Sequence, residues 1–295
     1  MLDAWGDHPA IRETLQEASD VLGVDVGALI HAGPKEQLDL TTHTQPVMLT
    51  AGIACYRAWL TETQTKPSVV AGHSLGEYTA LVAAGALTLA AALPLVRFRA
   101  QAMQEAVPVG VGAMAAILGL DTQAVIEGCA EVVAASGEVV AAANFNDPKQ
   151  TVIAGTKAGV DRACEVLKAK GAKRALLLAV SAPFHSSLMQ PAADRLRVRL
   201  AEVAIAAPSI PVVNNVDVKI ETDPAAIRDA LYRQAFSPVR WVETVQVVRA
   251  RGVSHLIECG PGKVLAGMVK RIDAEALSGA LFDPASLADV KGTLA

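Results

Sequence analysis

Ser74 lies at the centre of Gly72-His73-Ser74-Leu75-Gly76, a G-x-S-x-G pentapeptide preceded by the apolar run 67–71 and followed at once by helix-forming residues. A serine in that setting reads as a nucleophile elbow. The strand-to-helix turn is so tight that the positions two before and two after the serine are expected to have little room for a side chain, hence Gly72 and Gly76. Ser74 then projects from the tip of the turn, above the unpaired N–H groups and the positive end of the following helix. The Leu75 N–H is the expected donor to the oxyanion that forms when Ser74 attacks a carbonyl.

An activated serine needs a base, and the chain has six histidines. His8, His31 and His43 stand in polar or helix-edge contexts, where a solvated or structural role is expected. His73 adjoins the nucleophile, but its side chain is expected to diverge from that of Ser74 and to support packing. His255 opens an apolar run and is expected in the core. His185 differs, because SAPFHSSLM reads as a loop between a strand and a helix, where catalytic groups tend to be presented. Elbow hydrolases also place the histidine after the serine. By chemistry alone, a catalytic and a structural His185 stand level.

The elements that must position these groups alternate along the chain. Residues 11–22 read as a helix, as do 46–61, entered through Thr44, Gln45 and Pro46. The elbow strand and its helix follow, then a helix over 87–106. Residues 78–96 carry no charge and are about as long as a membrane span. Their alanines, Gly85, Thr88 and Pro94 instead predict two buried helices joined at a break. After a boundary at Gly110 to Gly112 the pattern becomes strand 113–118, helix 122–135, strands 138–144 and 150–154, helix 157–170 and strand 173–180. That βαββαβ order is the ferredoxin-like split unit, complete within about seventy residues. The core resumes with helix 188–203, strand 210–215, helices 225–235 and 241–251, strand 255–259 and a helix from 263. The expected fold is therefore α/β: an α/β-hydrolase-like core with a parallel sheet, made of residues 1–110 and 182–295, with a ferredoxin-like subdomain inserted at 111–181.

Composition narrows the function. The chain has 295 residues, ample for a buried core, and with 19% charged residues and a net charge of −4 nothing points to nucleic acid. Its four cysteines show no C-x-x-C spacing, which argues against zinc and against a disulfide framework. Reduced thiols in the cytoplasm are the simplest account. Residues 1–20 are polar and acidic where a signal peptide would need a positive start and an apolar core. GPGKV at 260–264 looks like a phosphate loop, yet Ile257 stands where its first glycine belongs and Val264 where Ser or Thr should follow the lysine. A strand-to-helix turn is the expected reading.

GHSLGEY at 72–78, Arg99 with Met103 and Gln104, NFNDPKQTVIAG at 144–155, SAPFHSSLM at 181–189, PVVNNVDV at 211–218 and ECGPGKVL at 258–265 occur in register. Together they resemble the malonyl-CoA:acyl carrier protein transacylases of bacterial type II fatty acid synthesis, from Met1 to near the C-terminus. The resemblance implies that Ser74 is the nucleophile and His185 its base. It implies that the base is oriented by backbone carbonyls, one of them that of Gln234, in place of a triad carboxylate. Arg99 matches the arginine that pairs with the free carboxylate of the malonyl group; residue type alone favours an exposed helix residue near Arg97. A planar guanidinium suits that task, because it clamps a carboxylate with two parallel hydrogen bonds. Gln45, in the T-Q-P block, is expected near the pocket. Phe184 resembles the bulky residue of malonyl-selective members and implies malonyl over methylmalonyl. The implied substrates are malonyl-CoA and holo acyl carrier protein, with no cofactor and no metal. Carrier proteins are acidic, so Lys168, Lys170, Lys173 and Arg174, or Lys263, Lys270 and Arg271, are candidate docking patches.

One block has no counterpart. Family members begin with a strand and a G-Q-G-S-Q segment whose glutamine N–H is the second oxyanion donor, whereas this chain opens at Met1 in the loop that should follow. The expectation is that Met1 is a mis-assigned or internal start of a longer enzyme. The rival readings are a serine hydrolase or thioesterase of similar core, and a non-catalytic form that binds carrier protein.

Overall fold

The structure is a computed structural model that describes residues 1–38, 40–180 and 182–294. The chain opens with helices α1 (Pro9–Leu22), α2 (Val26–Ala32), α3 (Lys35–Leu38) and α4 (Thr41–Thr63). The proline-marked start expected at residue 46 moves back to Thr41. The Thr44 N–H bonds the Leu40 carbonyl at 2.8 Å, so the first turn closes before Pro46, which lies inside the helix and has no N–H to give to the Thr42 carbonyl. α2 and α3, absent from the sequence reading, are too short to show a helical period.

β1 (Val70–Ala71) runs into α5 (Leu75–Ala83), and α6 (Leu89–Glu105) follows. Gly85, at φ 74°, breaks the uncharged stretch, and the Thr88 hydroxyl caps α6 by accepting the Ala91 N–H at 3.1 Å. Pro94 lies within α6 and does not end it. Among the described residues no helix is long and apolar enough to cross a membrane.

Next come β2 (Gly112–Leu118), α7 (Thr122–Ser136), β3 (Val140–Asp147), β4 (Gln150–Thr156), α8 (Lys157–Ala169) and β5 (Arg174–Leu177). The four strands form one antiparallel sheet in the order β3-β4-β2-β5. The side chains of Ala115 and Ile117 on β2 and Ile153 on β4 pack with Val125, Val160 and Leu167 of α7 and α8 in a continuous apolar layer. On the other face Met114, Ala116, Val152 and Ala154 meet Phe184, which brings this sheet up against the rest of the molecule. β3 is also tied there by the Phe145 N–H to the Val239 carbonyl and the Val239 N–H to the Ala143 carbonyl, each 2.9 Å. β5 ends three residues before the expected boundary.

The chain continues with α9 (Gln190–Glu202), β6 (Val212–Val213), α10 (Pro224–Gln234), α11 (Trp241–Ala250), β7 (His255–Cys259), α12 (Val264–Ile272), β8 (Leu277–Leu281) and α13 (Pro284–Leu294). β1 pairs in parallel with β6, and β7 with β8. The expected parallel strands are therefore present, but among the described residues their ladders form two separate pairs and not one sheet. β1 is only two residues long because the chain leaves it at once for the elbow. β6 stops because the Asn215 N–H bonds the Glu77 side chain and not a neighbouring strand.

Candidate active site

Ser74 caps the start of α5 with φ 53° and ψ −107°, a conformation that costs a non-glycine residue about 1–3 kcal/mol and persists only where surrounding bonds impose it. Those bonds are present. Asn215 Oδ1 accepts the Ser74 N–H at 2.7 Å, Asn215 Nδ2 donates to the Gly72 carbonyl at 2.7 Å, and Gln234 Nε2 donates to the Ser74 carbonyl at 3.0 Å. A Cβ on Gly72 would lie 1.9 Å from the Gly76 carbonyl carbon, so only glycine fits there. Gly76 is a correction: a Cβ there would meet nothing within 4 Å, because the crowding of the turn falls on the Gly72 side alone. Leu75 is the first residue of α5, so its N–H has no acceptor within the helix.

His185 sits on the loop between β5 and α9 at φ 60°, with 4% of its surface exposed. Its Nδ1–H donates to the Gln234 carbonyl at 2.9 Å, which leaves Nε2 as the acceptor facing the Ser74 Oγ–H at 2.7 Å. Burial, with the Arg99 charge adding to it, pushes the imidazole pKa down to about 3, so the ring is neutral at pH 7. The Ser186 hydroxyl bonds the Pro183 carbonyl at 2.7 Å and steadies the loop.

The other histidines lie elsewhere. The His73 side chain leaves the nucleophile and pairs Nε2 with Asn146 Oδ1 at 2.9 Å, its ring 5.7 Å from that of Trp241. His31 pairs with Asp3, His8 lies edge-on to Trp5, and His43 bonds the Gln37 carbonyl. His255, expected in the core, is half-buried, because its ring bridges the Ser254 hydroxyl and the Thr293 carbonyl at the end of α13.

Arg99 is 2% exposed, against the exposed position its residue type suggests. Nη1 donates to Gln45 Oε1 at 2.7 Å, and Nη2 donates to Ser74 Oγ and to Gln234 Oε1, each at 3.0 Å. The Tyr78 ring lies 5.4 Å beneath the guanidinium. Burial lowers the Arg99 pKa, yet a guanidinium stays protonated in proteins. Its direct partners among the described residues are thus neutral amide and hydroxyl oxygens, so a buried positive charge sits beside the nucleophile without a carboxylate bonded to it.

Glu77 was not singled out in the sequence, although it lies in GHSLGEY. It is 2% exposed, and its Oε2 accepts the Asn215 N–H at 2.9 Å and Gln234 Nε2 at 2.8 Å. Burial raises its pKa to about 7. Asn215 likewise lies within PVVNNVDV without a signal of its own. A carboxylate three residues after an elbow serine was the available signal for the first; nothing in the local pattern separates Asn215 from Asn214.

Phe184, just before His185, is half-buried and packs against both the main core and the antiparallel sheet. The GPGKV segment is the turn from β7 to α12. The Glu258 carboxylate accepts the Ala266 N–H at 2.9 Å and so occupies a donor that a phosphate would need. Of the basic candidates, Lys170 is paired with Glu131 and Arg271 with Asp147. The cysteines are free thiols, and among the described residues no cluster of His, Cys, Asp and Glu could hold a metal ion.

Residues 8–282 match the acyl transferase domain family. The malonyl CoA-acyl carrier protein transacylase of Salmonella typhimurium is 53% identical over 281 residues, which cover 95% of this chain and 90% of the relative. A crystal structure of the acyl-carrier-protein S-malonyltransferase from Burkholderia pseudomallei superposes with a TM-score of 0.96 at 64% identity, covering 98% of this chain and 94% of that one. A malonyl-transacylase solved in complex with a type II PKS acyl-carrier protein superposes with a TM-score of 0.95 at 50% identity, covering 97% and 92%.

Proposed function

We infer the reaction from two premises: this chain belongs to the acyl transferase family, and its elbow serine shares a buried site with a histidine and an arginine that has no carboxylate bonded to it. The chain transfers the malonyl group from malonyl-CoA to the phosphopantetheine thiol of acyl carrier protein, in fatty acid synthesis. The observation that carries the substrate class is Arg99. A cation buried against the nucleophile, whose hydrogen-bond partners among the described residues are neutral oxygens, favours an acyl group that brings its own carboxylate; a plain ester offers it nothing.

The steps follow from the contacts. Neutral His185 takes the Ser74 proton at Nε2 while the Gln234 carbonyl holds the opposite nitrogen. Ser74 Oγ attacks the thioester carbon, and the Leu75 N–H faces the developing oxyanion. Collapse expels the CoA thiol, which receives the proton from His185, and leaves a malonyl-serine ester. The carrier thiol then gives its proton to His185 and attacks the ester; collapse breaks the bond to Ser74 Oγ, which takes the proton back from His185 and is restored. Gln45 and Gln234 hold the guanidinium for the malonyl carboxylate, and Phe184 narrows the space beside its α-carbon, which favours malonyl over methylmalonyl. No cofactor takes part.

The finer architecture belongs to the same reading. The sheet order β3-β4-β2-β5 with α7 and α8 on one face supports a ferredoxin-like subdomain at 111–181 inserted into an α/β-hydrolase-like core of 1–110 and 182–295. The protein works in the cytoplasm, and one of the basic patches receives the acidic carrier.

The test supplies malonyl-CoA with and without holo acyl carrier protein and follows malonyl-carrier and free malonate separately. Transfer that far exceeds hydrolysis is expected, and Arg99→Ala should weaken malonyl loading by about 2–5 kcal/mol. Release of malonate as the main product, indifferent to Arg99→Ala, would make the protein a hydrolase.

A further inference from the structure

Glu77 is a buried carboxylate that the steps above do not use. Among the described residues it forms no ion pair; its Oε2 accepts the Asn215 N–H and the Gln234 amide. Burying an acidic group without a cation is costly, and simple packing at this position would be served by an apolar residue. Its position in the network suggests what it does.

Gln234 is a side chain with two possible amide orientations that differ by exchange of oxygen and nitrogen. On one side it faces acceptors, the Glu77 Oε2 at 2.8 Å and the Ser74 carbonyl at 3.0 Å. On the other it faces a donor, Arg99 Nη2 at 3.0 Å. The flipped amide would set its oxygen against a carboxylate and a carbonyl, and its N–H groups against the guanidinium. Glu77 Oε2, which also accepts the Asn215 N–H, is an acceptor facing the Gln234 amide, and with the Ser74 carbonyl and Arg99 it favours a single orientation. That orientation presents Oε1 to Arg99 and, with Gln45 on Nη1, aims Nη2 at Ser74 Oγ.

We propose that Glu77 is a positioning residue for recognition of the acyl carboxylate: it locks the Gln234 amide, which in turn holds Arg99 facing the nucleophile. The inference rests on the malonyl site proposed above. It assigns Glu77 to substrate selectivity, beyond any support it gives the elbow through Asn215.

The experiment compares the rate of Ser74 acylation by malonyl-CoA with that by p-nitrophenyl acetate, an uncharged acyl donor, in the full chain. In Glu77→Met the malonyl rate should fall about 10- to 100-fold, the span expected when one charge-assisted hydrogen bond is lost. The uncharged ester should lose several-fold less than malonyl-CoA, its loss measuring only the support the elbow draws through Asn215, and Glu77→Gln, which keeps volume and one acceptor, should fall between wild type and Glu77→Met. In an Arg99→Ala background the malonyl-to-acetate ratio should no longer respond to Glu77→Met. Equal losses for both donors, an unchanged ratio, or a further change of the ratio without Arg99 would overturn the inference. If Glu77→Met does not fold, Gln234→Met cuts the same relay while keeping the backbone carbonyl on His185. It must show the same loss of selectivity, and retained selectivity in that variant overturns the inference equally. A wild-type chain that malonyl-CoA does not acylate removes the site reading and this inference with it; a wild type that is acylated, with an unchanged ratio in the variants, removes this inference alone.

Discussion

Behind the antiparallel sheet, the buried layer is Ala115, Ile117, Val125, Val160, Ile153 and Leu167; around Ser74, positions that are also buried hold Arg99, Glu77, Gln45, Gln234, Asn215 and His185. The first region is held by contacts that have no direction, so many side chains share the task and neighbours can adjust. The second is held by directional donors and acceptors, several of them shared between two partners. Gln234 alone contacts His185 through its backbone and Ser74, Glu77 and Arg99 through its side chain. Damage in the first region should therefore appear as lost stability with chemistry intact, and damage in the second as lost chemistry.

The sharpest contrast comes from removing the base. His185→Ala should slow Ser74 acylation about 10²- to 10⁴-fold, read as the rate of malonyl-enzyme formation. A loss under about tenfold would mean that the buried polar region does not depend on this group. In the apolar region Leu167→Ala should cost about 2–5 kcal/mol in urea unfolding while the folded fraction acylates at the wild-type rate. A comparable loss of acylation rate would break the division between the two regions.

A smaller effect separates the buried ionisable groups by pH. His185, depressed from its ordinary 6.5 to about 3, contributes stability that is present above 6.5 and is lost as the pH falls through the range down to about 3. Glu77, raised from 4.5 to about 7, has the opposite sign: its contribution is fully present below 4.5 and is lost as the pH rises through about 7. The two slopes oppose one another between 4.5 and 6.5. Without the histidine slope, His185→Gln should gain stability relative to the wild type on going from about pH 7.5 to about pH 5, measured as urea midpoints. A relative loss would reverse the assignment. The smallest effect is expected at Gly76→Ala, within about 1 kcal/mol of wild type and active, since the added methyl meets open space within a helix. A strongly destabilised or inactive variant would restore the crowding expected of that position.

The same contrast governs how much the sequence reveals. In the antiparallel region the strands and helices read from apolar alternation and capping lie within a few residues of β2 to α8, because local pattern and burial agree there. Near the elbow they diverge. The strand expected over 210–215 shrinks to Val212–Val213 because Asn215 turns its backbone and side chain to Glu77, Ser74 and Gly72. Arg99 reads as an exposed helix residue because the oxygens that receive it belong to Gln45 and Gln234, 54 and 135 residues away in the chain. Ser74 and His185 were singled out by motif and loop context, and the structure brings them within hydrogen-bond distance. Glu77 escaped notice because a glutamate in the first turn of a helix is ordinarily explained by the helix dipole alone. β8 and α13 lack a clear period, LSGAL having a glycine at its centre, and the sequence pattern does not reveal them.

In the proposed reaction Ser74 carries a malonyl group between two thiols. Intact-protein mass spectrometry after brief mixing with malonyl-CoA, beside a Ser74→Ala control, tests it most directly. A gain of one malonyl mass that is absent from Ser74→Ala and discharges when holo acyl carrier protein is added is the expected result. A folded wild-type chain that gains no mass, or one whose adduct persists in Ser74→Ala, would contradict it.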